Sequence, residues 1–237
     1  MTEIIRTEHK VAVVTGAASG IGAATAAELE TRGWRVAGFD LAPASRCSFN
    51  VQVDMANPDE VAAAVVRVEQ NLGPVSAAVS AAGYYEMLPI SDISGEQWRR
   101  MLSVHLGGFV NLARAVIPGM TKLASGSLVA VTSELAIGGG SHDSHYAAAK
   151  GALLGLVRSL AAETAHRGIR VNAVAPGPTD TPLLTPDSPW REPDYLATLP
   201  LGRLTSPEEV ALCIAFLIDQ GTFCIGETLN PNAGAVI

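Results

Sequence analysis

Cysteine is scarce in this chain: Cys47, Cys213 and Cys224 are the three among 237 residues. An odd number without pairwise spacing excludes a disulfide framework and offers neither a zinc-ligand nor a redox-pair pattern, so unpaired thiols in a reducing cytoplasm are expected. Aromatic residues make up 5%, and 16 Lys and Arg face 23 Asp and Glu for a net charge of −7. That composition leaves no basic footprint and few stacking platforms, which argues against a nucleic-acid partner. Long apolar runs are missing too. The longest, residues 210–218, is about half of the roughly 20 residues a membrane span needs and reads as a buried helix. Residues 1–10 mix Glu3, Arg6, Glu8 and Lys10 around no apolar core, so no secretory leader is expected.

What is present is an alternation of strand and helix patterns without a repeat or internal linker. Strands are predicted near residues 11–15, 34–39, 49–53, 75–80, 126–132, 169–174 and 223–229, and helices near 20–32, 57–72, 95–119, 144–166 and 206–219. Such alternation predicts an α/β fold with a parallel sheet covered on both faces, as one domain over 1–237. Asn57-Pro58-Asp59-Glu60 and Ser206-Pro207-Glu208-Glu209 read as helix starts: a capping side chain, Pro in the first turn, and acids at the positive dipole end. Between 176 and 205 the prolines break regular structure, and a long irregular segment is expected there.

The first strand runs straight into Thr15-Gly16-Ala17-Ala18-Ser19-Gly20-Ile21-Gly22, and a helix pattern follows at once. Glycines allow a sharp turn and close backbone approach, and the amides of the new helix face an anion; this is pyrophosphate-binding architecture. Its spacing, Gly-x-x-x-Gly-x-Gly, differs from the common Gly-x-Gly-x-x-Gly. Farther along, Tyr146 and Lys150 stand four residues apart on a predicted helix, thirteen residues after Ser133. Spacing of four puts phenol and ammonium on one face, where the cation is expected to lower the phenol's pKa and make it a usable acid or base.

Together with Pro176-Gly177-Pro178-Thr179-Asp180-Thr181, these motifs resemble the short-chain dehydrogenase/reductase family. The likeness covers about residues 10–226. It implies a doubly wound (Rossmann-type) seven-stranded parallel sheet, a nicotinamide cofactor, and interconversion of a secondary alcohol and a ketone by Ser/Tyr/Lys chemistry. Tyr146 is then the acid/base; Lys150 tunes it and holds the nicotinamide ribose; Ser133 holds the substrate oxygen. The same resemblance gives Gly16, Ser19, Ile21 and Gly22 to the cofactor, with Leu41 and Met55 beside the adenosine and Ala81, Ala82 and Gly83 behind it. Pro176, Gly177, Thr179 and Thr181 would hold the carboxamide, and 176–205 would be the substrate lid. Tyr84, Tyr85, Glu134, Leu135 and the 183–200 loop are expected to line the substrate pocket.

Asp40 ends the second strand about twenty residues past the glycine turn. There a carboxylate accepts hydrogen bonds from a ribose diol and repels a 2′-phosphate, so NAD is expected over NADP. Ser19, where a basic residue would favour the phosphate, agrees. Asp54 resembles the family's adenine-binding acid. Two places depart from the family pattern. Ser80-Ala81-Ala82-Gly83 replaces a pair of side-chain amides, leaving the strand-end hydrogen bonds unassigned; His105 stands where the family has a catalytic Asn. His105 could serve through its main-chain carbonyl, through its imidazole, or only as packing.

His142-Asp143-Ser144-His145 lacks a third zinc ligand, and no hydrolase elbow accompanies it; surface or substrate-loop polar residues are the expectation, with no metal. Two readings compete with the alcohol dehydrogenase. One is a 3-oxoacyl-thioester reductase, whose usual NADPH Asp40 opposes. The other is a non-catalytic nucleotide-binding scaffold, which intact Ser133, Tyr146 and Lys150 oppose. Val110, Ala113, Val116 and Ile117 on one helix, and Ala148, Ala152, Leu156 and Leu160 on another, predict burial on more than one side and hence a homotetramer, the family's assembly.

Overall fold

A computed structural model describes residues 10–42 and 47–237; the reading of the first nine residues lies outside these. Seven strands form one sheet: β1 Val11–Thr15, β2 Arg35–Asp40, β3 Phe49–Gln52, β4 Ala77–Ser80, β5 Gly126–Val131, β6 Ile169–Val174 and β7 Thr228–Leu229. Their order is β3-β2-β1-β4-β5-β6-β7, and every pairing is parallel. β1, β4 and β5 are buried along their whole length, which is why they read as unbroken apolar runs. Val11 and Val13 face a core with Phe39 and Phe109, while Ala12 and Val14 face the opposite one with Leu29 and Ile214. This is the period-2 alternation of a strand with two covered faces. Full burial of a side chain such as Phe39 contributes about 1.5–3 kcal/mol.

Helices α2 Pro58–Leu72, α4 Gly108–Leu123 and α6 Ser144–Thr164 cover the first face; α1 Gly20–Thr31 and α8 Pro207–Asp219 cover the second. Both expected caps form. The Asn57 side chain accepts from the amides of Asp59 and Glu60, and Ser206 and Glu209 make a reciprocal capping box. The order of strands reverses between β1 and β4, so the crevice above their carboxyl ends is the place a doubly wound sheet offers a ligand.

Three expectations change. The helix expected over 95–119 is α3 Gly95–Leu102, a π-helical turn Ser103–Gly107, then α4, which continues past Pro118 to Leu123. The wider turn inserts one extra residue, and His105 is buried while Leu102 and Ser103 stay exposed. The last strand shrinks to Thr228–Leu229; before it the chain is held by the Asn172 side chain and by isolated backbone bonds, Gly226 donating to the Val171 carbonyl and Ala173 to that of Glu227. Asn172 donates to the Cys224 carbonyl and accepts from the Glu227 amide, and Arg170 reaches the carbonyls of Leu217, Ile218 and Gly221. The 176–205 segment is less irregular than its prolines suggest. Thr179 and Thr205 form a parallel bridge at its base, and it contains a 3-10 turn Pro189–Arg191 and a short helix, α7 Pro193–Leu196. By length and composition the continuous helical run Gly95–Leu123 could cross a membrane. Its stripe of Met101, Phe109, Leu112, Val116 and Met120 is fully buried in the protein instead.

Candidate active site

The glycine turn is shaped so that only hydrogen fits. Gly16 has φ +70°, and a Cβ there would stand 2.9 Å from the Ala82 backbone; at Gly22 it would stand 2.1 Å from the Gly16 carbonyl oxygen. Ser19 begins α1 with extended backbone and makes no side-chain cap, so the first amides of the helix are left for an external acceptor. The strand-end hydrogen bonds left unassigned by Ser80-Ala81-Ala82-Gly83 come from the backbone: Thr15 Oγ1 accepts from the amides of Ala81 at 3.1 Å and Ala82 at 2.9 Å. A groove runs over this turn, lined by Gly16, Ser19, Ile21 and Gly22, by Asp40, Leu41, Asp54 and Met55, and by Ala81, Ala82 and Gly83. Asp40 Oδ2 accepts from the Ala18 amide and Oδ1 from the Ala42 amide, both at 3.0 Å. These bonds fix the carboxylate at the groove edge, and each oxygen retains a further lone pair for a diol. The donor set and the glycine cradle fit a dinucleotide.

Ser133, Tyr146 and Lys150 meet in a second cleft that shares Ile21, Gly83 and Thr181 with the groove. Ser133 lies two residues past the end of β5, and Tyr146 and Lys150 lie one helical turn apart on α6. Lys150 is anchored twice: its Nζ donates to the Val131 carbonyl and its own carbonyl accepts from Thr132 Oγ1, both at 2.8 Å. Its Nζ lies 5.6 Å from the centre of the Tyr146 ring. The expected lowering of the phenol does not prevail here. Burial, with Glu134 next, pushes Tyr146 above the ordinary tyrosine range although Ser133 bonds to it, and burial pulls Lys150 down to about 7. Desolvation outweighs a cation held at this distance. Tyr146 is therefore a protonated donor at neutral pH.

His105 projects from the π-helical turn to the same cleft. Its Nε2 lies 2.9 Å from the Tyr84 carbonyl, and its ring stands edge-on to Tyr146 at 5.5 Å between centroids. The ring fills the space over Gly83, where a Cβ would approach its Cε1 to 2.3 Å. Burial, then Lys150, holds its pKa well below the ordinary value. Pro176, Gly177, Thr179 and Thr181 line the cleft's far side, and Thr179 Oγ1 donates to the Gly177 carbonyl at 2.8 Å.

Among the residues expected at the substrate, Glu134 lines the reaction cleft, with its carboxyl 3.0 Å from Ser133 Oγ. Tyr84 does not: it faces the dinucleotide groove under the Arg100 guanidinium, 5.0 Å from its ring centre. Its neighbour Tyr85 faces the reaction cleft and packs edge-on against Tyr146 at 5.0 Å. Tyr85 donates to Asp143 at 2.6 Å and accepts from the Trp190 indole at 3.3 Å, which ties the lid to the cleft floor. Asp143 and His145, expected at the surface or in the substrate loop, are fully buried, Asp143 against Tyr85 of the reaction cleft and His145 between Trp98 and Glu86. Sequence reasoning expected Tyr85 and the 183–200 loop at the pocket but missed their link to Asp143, because the partners come from distant segments. The one local signal was Asp143, immediately before the α6 start. No metal-binding cluster occurs among the described residues.

Comparison with known proteins agrees with this geometry. A family profile described as enoyl-(acyl carrier protein) reductase matches residues 16–235. A cis-4-hydroxycyclohexanecarboxylate dehydrogenase of Sinomonas cyclohexanicum is 39% identical over 239 residues, spanning 95% of this chain and 96% of its own. A 3-oxoacyl-[acyl-carrier-protein] reductase of Thermotoga maritima is 33% identical over 246 residues, 98% of this chain and 100% of that one. In structure, the ligand-free aldohexose dehydrogenase of Thermoplasma acidophilum matches with a TM-score of 0.89 at 30% identity, covering 95% of this chain and 93% of the other. Fold and cleft thus define an oxidoreductase built on a Rossmann-type sheet. The chain belongs to the short-chain dehydrogenase/reductase family, whose members bind NAD or NADP.

Proposed function

We propose that this protein is an NAD-dependent oxidoreductase that interconverts a secondary alcohol and its ketone. The observation that carries the reading is the convergence of Ser133, Tyr146 and Lys150 in a cleft continuous with the glycine groove. Bound nicotinamide supplies or accepts the hydride. The chain's own residues handle the proton. Tyr146, protonated at neutral pH, gives its proton to the carbonyl oxygen as the carbon is reduced and takes it back in oxidation. Ser133 positions that oxygen, and Lys150, fixed to Val131, stands beside the phenol as the residue that restores its proton. His105 takes part through its backbone and its packing, not through titration. Thr179 and Thr181 orient the carboxamide, with 176–205 as the substrate lid over a single domain.

NAD is the preferred form because Asp40 lies at the groove edge and no cation stands at Ser19. Equal hydrogen-bonding groups with a 2′-phosphate in place of the hydroxyl would meet a fixed negative charge. The second reading, reduction of a 3-oxoacyl thioester, is favoured by the Thermotoga relative. A turnover screen of secondary alcohols, cyclic diols and 3-oxoacyl thioesters against NAD(H) and NADP(H) decides between the two. Turnover of an alcohol with higher kcat/KM for NAD is expected. In Asp40→Ala the gap between cofactors should narrow, with about 1.5–3 kcal/mol of NAD binding lost. Equal or better wild-type turnover with NADP defeats the cofactor assignment, and turnover confined to thioesters defeats the substrate assignment.

The protein is further assigned to the cytoplasm, with a small-molecule substrate and with neither nucleic acid nor membrane as partner. A homotetramer is supported by half-buried Val110 on α4 and by Ala152 and exposed Ala148 on α6, while Ile117, Leu156 and Leu160 pack against the core. Ala113 and Val116 form the face of α4 that is buried in the core. The sheet edge at β7 adds a second apolar area, with Leu212 and Phe223 exposed nearby.

A further inference from the structure

Glu134 is an unusual neighbour for a serine that holds a substrate oxygen. Its side chain lines the reaction cleft, the residue is 7% exposed, and its Oε2 lies 3.0 Å from Ser133 Oγ. None of the ion pairs among the described residues involves it. The side chains that face it are neutral or acidic: Ser133 at the end of β5, Asp143 before α6, Tyr146 on α6 and Tyr195 on α7. Burial raises its carboxyl to about 7, against the pull of Ser133 and of the amides of Glu134 and Leu135.

We propose that Glu134 is a positioning residue that decides whether Ser133 directs its hydroxyl proton at the substrate oxygen or away from it. A serine hydroxyl has one proton and two lone pairs. One lone pair of Ser133 Oγ already accepts from the Leu135 amide at 3.2 Å, and Tyr146, bonded to Ser133 in the free cleft, gives its hydroxyl to the substrate oxygen in the reaction. When Glu134 is ionised, the serine proton goes to the carboxylate in a charge-assisted bond, and the remaining lone pair faces the substrate. That arrangement repels an oxygen gaining negative charge. When Glu134 is protonated, its own O–H fills the second lone pair, and the serine proton is released toward the substrate oxygen. No proton is consumed in either state: the new O–H bond of the alcohol comes from Tyr146, while Ser133 and Glu134 keep theirs. Because the same transition state serves both directions, the protonated form is the competent one for oxidation as well as reduction.

The inference rests on the alcohol–ketone reading, and its test is separable from that reading. With a ketone accepted in the screen, kcat/KM for reduction by the full-length protein is measured from about pH 5.5 to 9, the range around an unperturbed imidazole and thiol. The wild type should lose about tenfold per pH unit above an inflection near 7. In Glu134→Gln the amide N–H₂ donates to Ser133 at every pH, so the rate should stay near the acid plateau and the inflection disappear. Ser133→Ala should lower the rate at all pH values and flatten the inflection, because only the direct field of Glu134 on Tyr146 is then left. An inflection retained in both variants would belong to Lys150, whose ammonium also titrates near 7, and would overturn the proposal. Superimposable wild-type and Glu134→Gln profiles would do the same. Absence of any ketone turnover defeats the functional reading instead.

Discussion

His105 sits against the Tyr146 ring with one nitrogen bonded and the other without a partner. The 2.9 Å contact with the Tyr84 carbonyl makes Nε2 the donor, so Nδ1 carries the lone pair and the ring is neutral. A second proton would add charge to a dry site already holding Lys150, which is why its pKa falls well below the ordinary value. A group of this kind does not change charge between pH 6 and about 7.5, the ordinary histidine window. His105→Asn should therefore keep kcat within about tenfold, a barrier change under roughly 1.4 kcal/mol, with the same pH profile as wild type. A larger loss accompanied by a vanished titration step would show that the imidazole relays protons. Ser133, Tyr146, Lys150 and Asp40 were legible as candidates because their proposed roles depend on spacing along one helix or one strand end, and the fold brings the first three to one cleft and Asp40 to the adjoining groove. Burial was the quantity it hid. Spacing predicts a lowered phenol, whereas the structure places both groups out of water and reverses that sign. For the same reason the full burial of Asp143 and His145, read as surface or substrate-loop residues, was not visible.

At the scale of elements, what the chain announces most clearly are its starts. Ser206 meets Glu209 in a capping box, and Arg203 adds a bidentate pair to the same carboxylate at 2.7 and 2.8 Å. Glu209 is exposed, so the ion pair itself adds little; the cap satisfies amides that α8 otherwise leaves open. Ser206→Ala should lower stability in denaturant melts by about 1 kcal/mol with an unchanged m-value, and no measurable loss would show that solvent replaces the cap. Strand and helix positions were legible wherever apolar periodicity and a cap coincide. The π-helical turn was not. It needs one extra residue in a helical register, and residues 95–123 carry the composition of an unbroken helix. β7 was overestimated because an apolar stretch reads as strand, yet the Asn172 side chain takes the Cys224 carbonyl and the Glu227 amide, and only isolated backbone bonds from Gly226 to Val171 and from Ala173 to Glu227 precede the ladder.

For the molecule as a whole, the parallel sheet brings four distant sequence segments to one edge: the glycine turn after β1, residues 81–83 after β4, Ser133 after β5 and the Pro176 segment after β6. Alternation of elements made that sheet predictable, since parallel strands need crossovers that cover both faces. The outer apolar areas on α4, α6 and beside β7 belong to the same scale. Sedimentation at micromolar concentration should show a tetramer, and a monomer would contradict that assembly. The central claim concerns chemistry, and one comparison tests it most directly: hydride transfer measured by stopped flow in wild type and Tyr146→Phe, using the best alcohol found in the screen, alongside fluorescence titration with NADH. The phenylalanine ring fills the same space, so binding should persist, while the transfer rate falls by about 10²–10⁴ with loss of the proton donor. Near-wild-type transfer in Tyr146→Phe would contradict the account.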